Sequence, residues 1–523
     1  MRFLKAMVTV GGWTLISRLL GFVRDILIAG TLGTGPIADA WVVAFRLPNL
    51  FRRVLGEGAF NTAFVPLFAG WLEQEGPAAA KAFAEDVLAV LLATVLAFSA
   101  AAMAAMPWIM PVIAPGFIND PEQLAKATQM AQIAFPYLLF MSLVALLSGI
   151  LNSLRRFAAA AAAPVLLNVF LVLVLVAVLP ITGQPGYVLV WTVAAAGAAQ
   201  FLLLMIVTVR AGFALRLRWP RLTPGVKRLL ILMVPGLASA AALQINLFVG
   251  TMIATLQPGA ASLLYYADRV YQLPLGLIGI AVSVVLLPEI ARRLKSDGEA
   301  AAASSLTQGL EFALYLTMPA AVGLIVLAEP IATVLYQRGA FGPVAAEATG
   351  LAIAAYALGL PAYVTVKVYQ PAFFAREDMI TPLHAALWSV GVNISLSVIF
   401  FFSLRAEGLG YLGLAAATTI AALVNLGVLS SRLAKRGLLR IAADKRQRLW
   451  RQAAAAAVMG LGLILALPHL QPWLAGGEWL RAAALALMVS GGASVYLLSS
   501  LLFGALPREA LRPLLAWLPG HSA

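Results

Sequence analysis

The chain has 523 residues, of which 62% are hydrophobic and only 11% are charged. A soluble globular protein carries about 25% charged residues to cover its surface, so this composition excludes a set of soluble domains. It contains no cysteine and only three well-separated histidines, which excludes disulfides and thiol nucleophiles and argues against cysteine or histidine metal sites. The net charge is +14, and what it indicates depends on where the basic residues lie along the chain.

Long apolar segments follow one another along the whole sequence. The first is predicted to remain as a helix rather than to be removed as a signal peptide, because Arg18, Arg24 and Asp25 interrupt it. A membrane-spanning helix needs about 20 mostly apolar residues. The sequence therefore predicts an all-α polytopic membrane protein with fourteen transmembrane helices, at 6–31, 37–72, 82–113, 124–153, 158–181, 186–210, 226–256, 262–293, 307–336, 344–373, 380–404, 408–434, 449–470 and 479–503.

The basic residues fall mainly on one side of this arrangement. With the N-terminus in the cytoplasm, 25 of the 36 Lys and Arg residues lie at cytoplasmic ends or loops, and four lie outside. The positive-inside rule predicts such an asymmetry, and it places both termini in the cytoplasm. Most of the surplus charge thus indicates topology and contact with anionic lipid headgroups, and it gives little support to nucleic-acid binding.

Several landmarks recur at a nearly constant distance. Leu47-Pro48 returns as Leu273-Pro274, an offset of 226, and Phe135-Pro136-Tyr137 has a counterpart in Leu360-Pro361-Ala362, an offset of 225. A period of six spans predicts two lobes in the same orientation, which is a common frame for alternating access. The predicted lobes are 1–222 and 223–440, and 441–523 adds two helices that could hold a lipid tail in a groove.

Seven basic residues are left inside the predicted spans. On insertion scales, a charged side chain at a helix centre raises the free energy of membrane insertion by roughly 2.5–3.5 kcal/mol. The surroundings of these residues must offset this cost. The deep carboxylates are fewer, namely Asp25, Asp39, Glu57 and Asp268. The seven cations are Arg18, Arg24, Arg46, Arg52, Arg53, Arg269 and Lys367.

The second span carries polar residues at helical spacing. At 100° per residue these residues fall within an arc of about 80°. Arg52 lies off this stripe on an ideal helix, but Pro48 should bend the helix and could turn Arg52 toward the same cavity. The stripe consists of Asp39, Arg46, Asn49, Arg53 and Glu57.

Two interpretations of the buried charges remain open. They could pair among themselves and hold helices together, as Asp25 with Arg18 or Asp268 with Arg269. The cations outnumber the deep carboxylates, however, and arginine forms bidentate contacts with phosphate. The surplus therefore favours a cationic cavity for a phosphate- or diphosphate-bearing headgroup.

Three runs of sequence resemble a known family of membrane transporters. They are SRLLGFVRDILIAGTLG at 17–33, ADAWVVAFRLPNLFRRVLGEGAFNTAFVP at 38–66 and YYADRVYQLPLGLIGIAVSVVLLPEI at 265–290. These runs are similar to the lipid II flippase family MurJ, also called MviN, of the MOP superfamily. The resemblance implies fourteen helices, a central cationic cavity, and a hydrophobic groove formed by the last two helices.

The resemblance also implies a function and a set of site residues. It implies transfer of the undecaprenyl-diphosphate-linked peptidoglycan precursor from the inner to the outer leaflet of the bacterial cytoplasmic membrane. Arg18, Arg24, Arg52 and Arg269 match the family's essential arginines. Further matches to positions important in the family are Ser17, Asp39, Asn49, Arg53, Glu57 and Asp268.

No cofactor and no metal are expected. The resemblance implies that some members of the family bind sodium through an aspartate on the seventh span, but span 226–256 here has no carboxylate. Sodium coupling is therefore doubtful, which leaves the membrane potential as an energy source. Expected partners are lipid II, membrane lipids and the peptidoglycan synthesis and division machinery, and the chain is expected to be a monomer.

Two other functions share some of these features. A multidrug or lipid-linked oligosaccharide exporter could use the same frame, but drug exporters commonly need carboxylates to bind cations. A membrane-embedded glycosyl- or phosphotransferase usually shows a carboxylate cluster or a large polar loop, and neither is present in the sequence. The prediction is a transporter and not an enzyme.

Overall fold

A computed structural model describes residues 2–53, 60–439 and 442–507. Within these ranges the protein is all-helical, with twenty α-helices and no strand. The helices are α1 Arg2–Leu32, α2 Pro36–Phe51, α3 Asn61–Gln74, α4 Gly76–Ile113, α5 Pro121–Ala134, α6 Pro136–Ser153, α7 Phe157–Ala177, α8 Leu179–Thr182, α9 Pro185–Arg210, α10 Pro224–Ala254, α11 Ala260–Pro274, α12 Ala281–Ser296, α13 Gly298–Val326, α14 Ala328–Tyr336, α15 Pro343–Ala357, α16 Leu360–Phe374, α17 Ile380–Leu404, α18 Gly410–Lys435, α19 Ala443–Leu474 and α20 Glu478–Leu502.

Many of these helices are long and apolar enough to cross a membrane. Within the described ranges ten helical segments meet this condition by length and composition. The number rises to eleven if α15 and α16, which are bent by 41° at their junction, form one span. The prediction of an all-helical, multi-pass membrane protein is therefore confirmed.

Two of the predicted spans are interrupted near a proline. The predicted span 37–72 begins with α2, which contains Pro48, and ends with α3. The predicted span 262–293 consists of α11, ending at Pro274, a π-helical turn over Leu275–Ile280, and α12. Residues 52, 53 and 60 are also π-helical. Proline removes a backbone N–H donor, and irregularities in long helices occur at prolines and at π turns.

The described residues form two compact units. The first is Met1–Ser262 with Arg338–Phe341, and the second is Leu263–Gln337 with Gly342–Ala523. The first unit includes α10, which the repeat assigns to the second lobe. The predicted lobe boundaries concern the moving parts of a transporter, and they stay a prediction.

A short segment from far along the chain completes the first unit. The amide of Ala340 donates a hydrogen bond of 2.8 Å to the carbonyl of Gly30 near the end of α1. Gly33 follows with a φ of 62°, and a Cβ at this position would stand 2.4 Å from the carbonyl oxygen of Ala340. Only glycine accommodates both the left-handed backbone and this close approach.

The backbone repeats its left-handed residues from one half of the chain to the other. A left-handed conformation is rarely adopted except at helix ends and turns, so its recurrence marks equivalent corners. The offsets lie between 222 and 226 residues, as do the offsets of the Leu-Pro pairs. The pairs are Gly33 and Gly259, Gly76 and Gly298, Arg155 and Glu377, Gly183 and Gly408, and Gly212 and Gly437.

The hydrogen bonds at two of these corners repeat as well. After α6 the amide of Arg156 donates to the carbonyl of Leu151, and after α16 the amide of Asp378 donates to that of Phe373, at 2.8 and 3.1 Å. Both pairs are 222 residues apart. Each bond closes a helix C-terminus through a left-handed residue. The two halves therefore share local backbone geometry as well as spacing.

Candidate substrate site

Arg24 of α1 is buried in a polar cluster within the first unit. Its Nε and Nη2 donate to Oδ1 of Asp25 at 3.0 and 2.7 Å, and its Nη1 donates to Oδ1 of Asn168 on α7 at 2.8 Å. Asp25 therefore pairs with Arg24, the neighbour in sequence, rather than with Arg18 as one interpretation of the sequence had it. The pair and the amide satisfy each other away from water.

Asn168 connects this cluster to the preceding turn of α1. Its Nδ2 donates to the carbonyl and the Oγ of Ser17, at 2.8 and 3.3 Å. Gly21 faces the Asn168 side chain, so α1 and α7 approach closely there. Arg18 lies on an exposed part of α1. Of the two sequence-predicted arginines on α1, one is held rigidly and the other is accessible.

Asp39 in the first turn of α2 caps another helix. Its Oδ2 accepts from the amide of Gly259 at 2.7 Å, and its Oδ1 accepts from the amide of Ser262 at 2.8 Å. These amides lie at the start of α11, where the first backbone N–H groups have no intrahelical partner. A carboxylate there also complements the positive end of the helix dipole. Asp39 thus stabilises the start of α11.

The rest of the polar stripe continues along α2. Arg46 is hydrogen-bonded through Nη1 to Oγ1 of Thr251 on α10. The Nε of Arg52 donates to Oδ1 of Asn49 at 2.8 Å, so Arg52 reaches the stripe from just beyond Pro48. Arg53 is exposed, and Glu57 lies outside the described residues. In the described part of the stripe, the residues near the start of α2 contact α10 and α11, whereas Asn49 and Arg52 contact each other.

The predicted site residues of the second unit lie on α11 and α16. The Arg269 guanidinium lies 4.7 Å from the centre of the Tyr265 ring, a cation–π contact. Asp268 accepts a hydrogen bond from Nε2 of Gln272. Lys367 is half-buried, and its aliphatic stem lies next to Gly279 in the π-helical turn. The π turn gives room for this lysine beside the backbone.

Two apolar cavities lie between α4 and α10 in the first unit. Their volumes are about 390 and 790 Å³, and Phe51 and Phe98 border both. The hydroxyls of Thr94 and Ser142 in the smaller cavity donate to carbonyls of their own helices, so they do not make its wall polar. Such a surface suits hydrocarbon rather than water.

Asn168 and Thr251 are functional candidates that the sequence reasoning missed. Each is a polar residue inside a predicted span, which is a signal for a buried hydrogen bond. Among the described residues there is no group of three His, Asp or Glu placed to hold a metal ion.

The fold matches solved membrane transporters along most of the chain. A structure described as the lipid II flippase MurJ in an inward closed conformation aligns with a TM-score of 0.77 and 24% identity, covering 97% of this chain and 100% of that one. An inward-facing multidrug resistance MATE transporter of the MOP superfamily aligns with a TM-score of 0.64 and 16% identity, covering 83% and 99%. The chain therefore shares the fold of these solved membrane transporters.

Sequence comparison narrows this class. The profile described as "Lipid II flippase MurJ" matches residues 28–483. A "Probable lipid II flippase MurJ" of Rhizobium meliloti is 45% identical, covering 95% of this chain and 93% of the relative. A "Lipid II flippase MurJ" of Burkholderia cenocepacia is 34% identical, covering 97% of each. The chain belongs to the lipid II flippase MurJ family. It is a multi-pass transporter of the bacterial inner membrane and not an enzyme.

Proposed function

We propose that this protein flips lipid II, the undecaprenyl-diphosphate-linked peptidoglycan precursor, from the inner to the outer leaflet by alternating access. The family match over residues 28–483 carries this proposal. The surplus of cations over carboxylates within the spans supports it, because the substrate presents an anionic diphosphate to a membrane protein.

The diphosphate is bound by Arg18, Arg24, Arg52 and Arg269. Arginine offers a planar fork that matches phosphate oxygens. The hydrogen bonds that Arg24 donates to Asp25 and Asn168 support this role, since they fix the guanidinium before substrate arrives. Arg46, Arg53 and Lys367 contribute further positive charge, and Ser17, Asp39, Asn49, Glu57 and Asp268 shape the surroundings of these cations.

The finer topology belongs to this proposal too. Fourteen helices cross the membrane with both termini in the cytoplasm, and the lobes 1–222 and 223–440 rock about the substrate. Residues 441–523 hold the prenyl tail on α19 and α20. No cofactor takes part; the membrane potential supplies about 2.3 kcal/mol per charge per 100 mV. The protein acts as a monomer beside the peptidoglycan synthesis and division machinery.

The test is flipping of labelled lipid II in proteoliposomes that contain a variant with all four arginines changed to alanine. We expect loss of flipping, because the diphosphate loses its counter-charges. A matched control changes four exposed arginines outside the proposed site, Arg156, Arg292, Arg405 and Arg446, and should keep flipping. Full activity of the fourfold site variant would refute the proposal.

Depletion in a cell that depends on this gene tests the direction of transport. The lipid-linked precursor should accumulate on the cytoplasmic side. The alternative of a multidrug or oligosaccharide exporter, which the MATE-like fold favours, predicts instead no such accumulation and competition by cationic dyes.

A further inference from the structure

The segment of residues 211–223, here called the basic linker, joins α9 to α10. It has no helix over 214–223 and lies between two long apolar helices. It carries Arg216, Arg218 and Arg221, and Lys227 and Arg228 follow in the first turns of α10. The transport mechanism proposed above uses none of these residues.

One side of the basic linker is fastened to α4. Nη2 of Arg218 lies 2.6 Å from Oε2 of Glu85, and the amide of Arg216 donates to Oε1 of the same carboxylate at 3.0 Å. Glu85 is buried, and Arg218 also lies 3.6 Å from Asp86. Phe213 packs against Phe68 of α3 at a ring distance of 5.8 Å. The linker therefore has a defined inner side.

The outer side is apolar and uncovered. Leu217 and Trp219 are the immediate sequence neighbours of Arg218. Leu217, Trp219 and Leu222 are 67%, 81% and 59% exposed. Arg216, just before Leu217, and Arg221, between Trp219 and Leu222, are exposed as well. Tryptophan and leucine interleaved with arginine is the composition of a segment that lies in a lipid interface.

We propose that the basic linker is a binding site for anionic phospholipid headgroups. Arg216, Arg221 and Lys227 contact the phosphates, and Leu217, Trp219 and Leu222 insert below them. Charge complementarity selects this occupant, because Glu85 and Asp86 already neutralise Arg218 and leave the other cations facing outward. The Glu85 contacts hold the segment in place for this role.

A single cysteine tests the proposal, since the natural chain has none. Leu222→Cys is labelled with a fluorophore and reconstituted in vesicles of phosphatidylcholine alone or with phosphatidylglycerol added. Lipids with a nitroxide near the headgroup should quench the label, more strongly when phosphatidylglycerol is present. The matched control is Thr182→Cys, at the exposed, uncharged end of α8 just before α9, which should not respond to phosphatidylglycerol.

Charge variants separate the headgroup contact from simple insertion. In the Leu222→Cys chain, R216Q and R221Q should each weaken the phosphatidylglycerol-dependent quenching about five-fold, since one arginine near an anionic surface contributes about that factor. Added salt should lower the phosphatidylglycerol-dependent quenching of the Leu222→Cys chain that keeps all its arginines. This measurement tests the proposal even if a charge variant unfolds. A label at 222 that iodide reaches freely in both kinds of vesicle would overturn the proposal and leave the linker as a surface for a soluble partner.

Discussion

The two halves of the chain share the left-handed residues at their helix ends and turns but not their interior charges. Left-handed residues recur at offsets of 222 to 226, yet the counterparts of Arg24 and Asp25 at an offset of 222 are Asn246 and Leu247. At an offset of 226 the counterpart of Arg46 is Gln272. Backbone geometry has been kept in both copies, whereas five of the seven interior cations stand in the first. An asymmetric ligand bound in a pseudo-symmetric frame requires such a division.

The largest expected effect comes from the charged cluster of the first half. Arg24→Ala leaves Asp25 buried without its partner, which should lower the free energy of unfolding by about 3–5 kcal/mol. Denaturation in detergent measures this loss. Asn246→Ala, at the equivalent place on α10, serves as the control and should have a much smaller effect. Equal losses of unfolding free energy for the two variants would show that the charged cluster of the first half stabilises the fold no more than Asn246 does in the second.

A pair of equivalent glycines gives the next effect. Gly33→Ala must move the carbonyl of Ala340, so it should cost about 2–5 kcal/mol through clash and strain. Gly259→Ala has the same left-handed backbone, with no atom nearer than 3.9 Å, and should cost only about 1–2 kcal/mol. Thermal unfolding of both variants measures the difference. Equal losses of unfolding free energy would contradict the prediction that Gly33 tolerates a side chain less well than Gly259.

The cap of α11 should have a moderate effect. Asp39→Ala removes the acceptor for the amides of Gly259 and Ser262 and should cost about 0.5–2 kcal/mol. Asp39→Asn keeps one acceptor oxygen and should lose less. Hydrogen exchange at the first turn of α11 reads this out locally. Unchanged protection in Asp39→Ala would show that the cap does not hold this turn.

The smallest effect is acid sensitivity at a corner of the second half only. Burial acts to raise the pKa of Asp378, but hydrogen bonds from Thr381 and the nearby Arg436 outweigh it and lower the pKa from 3.8 to about 2. A carboxyl with a lowered folded pKa stabilises the fold above its unfolded pKa and loses this contribution as the pH falls toward 2.

The unfolding midpoint of the unchanged protein should therefore approach that of Asp378→Asn as the pH drops from about 5 to 2. The difference above that range should be on the order of 1 kcal/mol. The first-half corner has Arg156 at this position, so Arg156→Gln should show no such convergence. A constant difference between the unchanged protein and Asp378→Asn across this range would contradict the assignment.

Much of the fold could be predicted from hydropathy, because lipid leaves few alternatives to a helix. The breaks could be predicted only in part: Pro48 and Pro274 indicate faults, but the π turns that absorb them depend on packing. Among the candidate site residues, the sequence placed Arg24 inside a predicted span but could not foresee its contact with Asn168, since a contact across 144 residues leaves no local pattern. The cap formed by Asp39 was hidden for the same reason.

The attachment of Arg338–Phe341 to Gly30 bears on how the protein is made. The ribosome delivers the chain from its N-terminus, so α1 is inserted long before Ala340 exists. The first unit must wait, with Gly33 uncovered, until the chain has been synthesised past the end of α14. A chain truncated before residue 338 thus lacks a piece of its first unit, the piece that packs against Gly33.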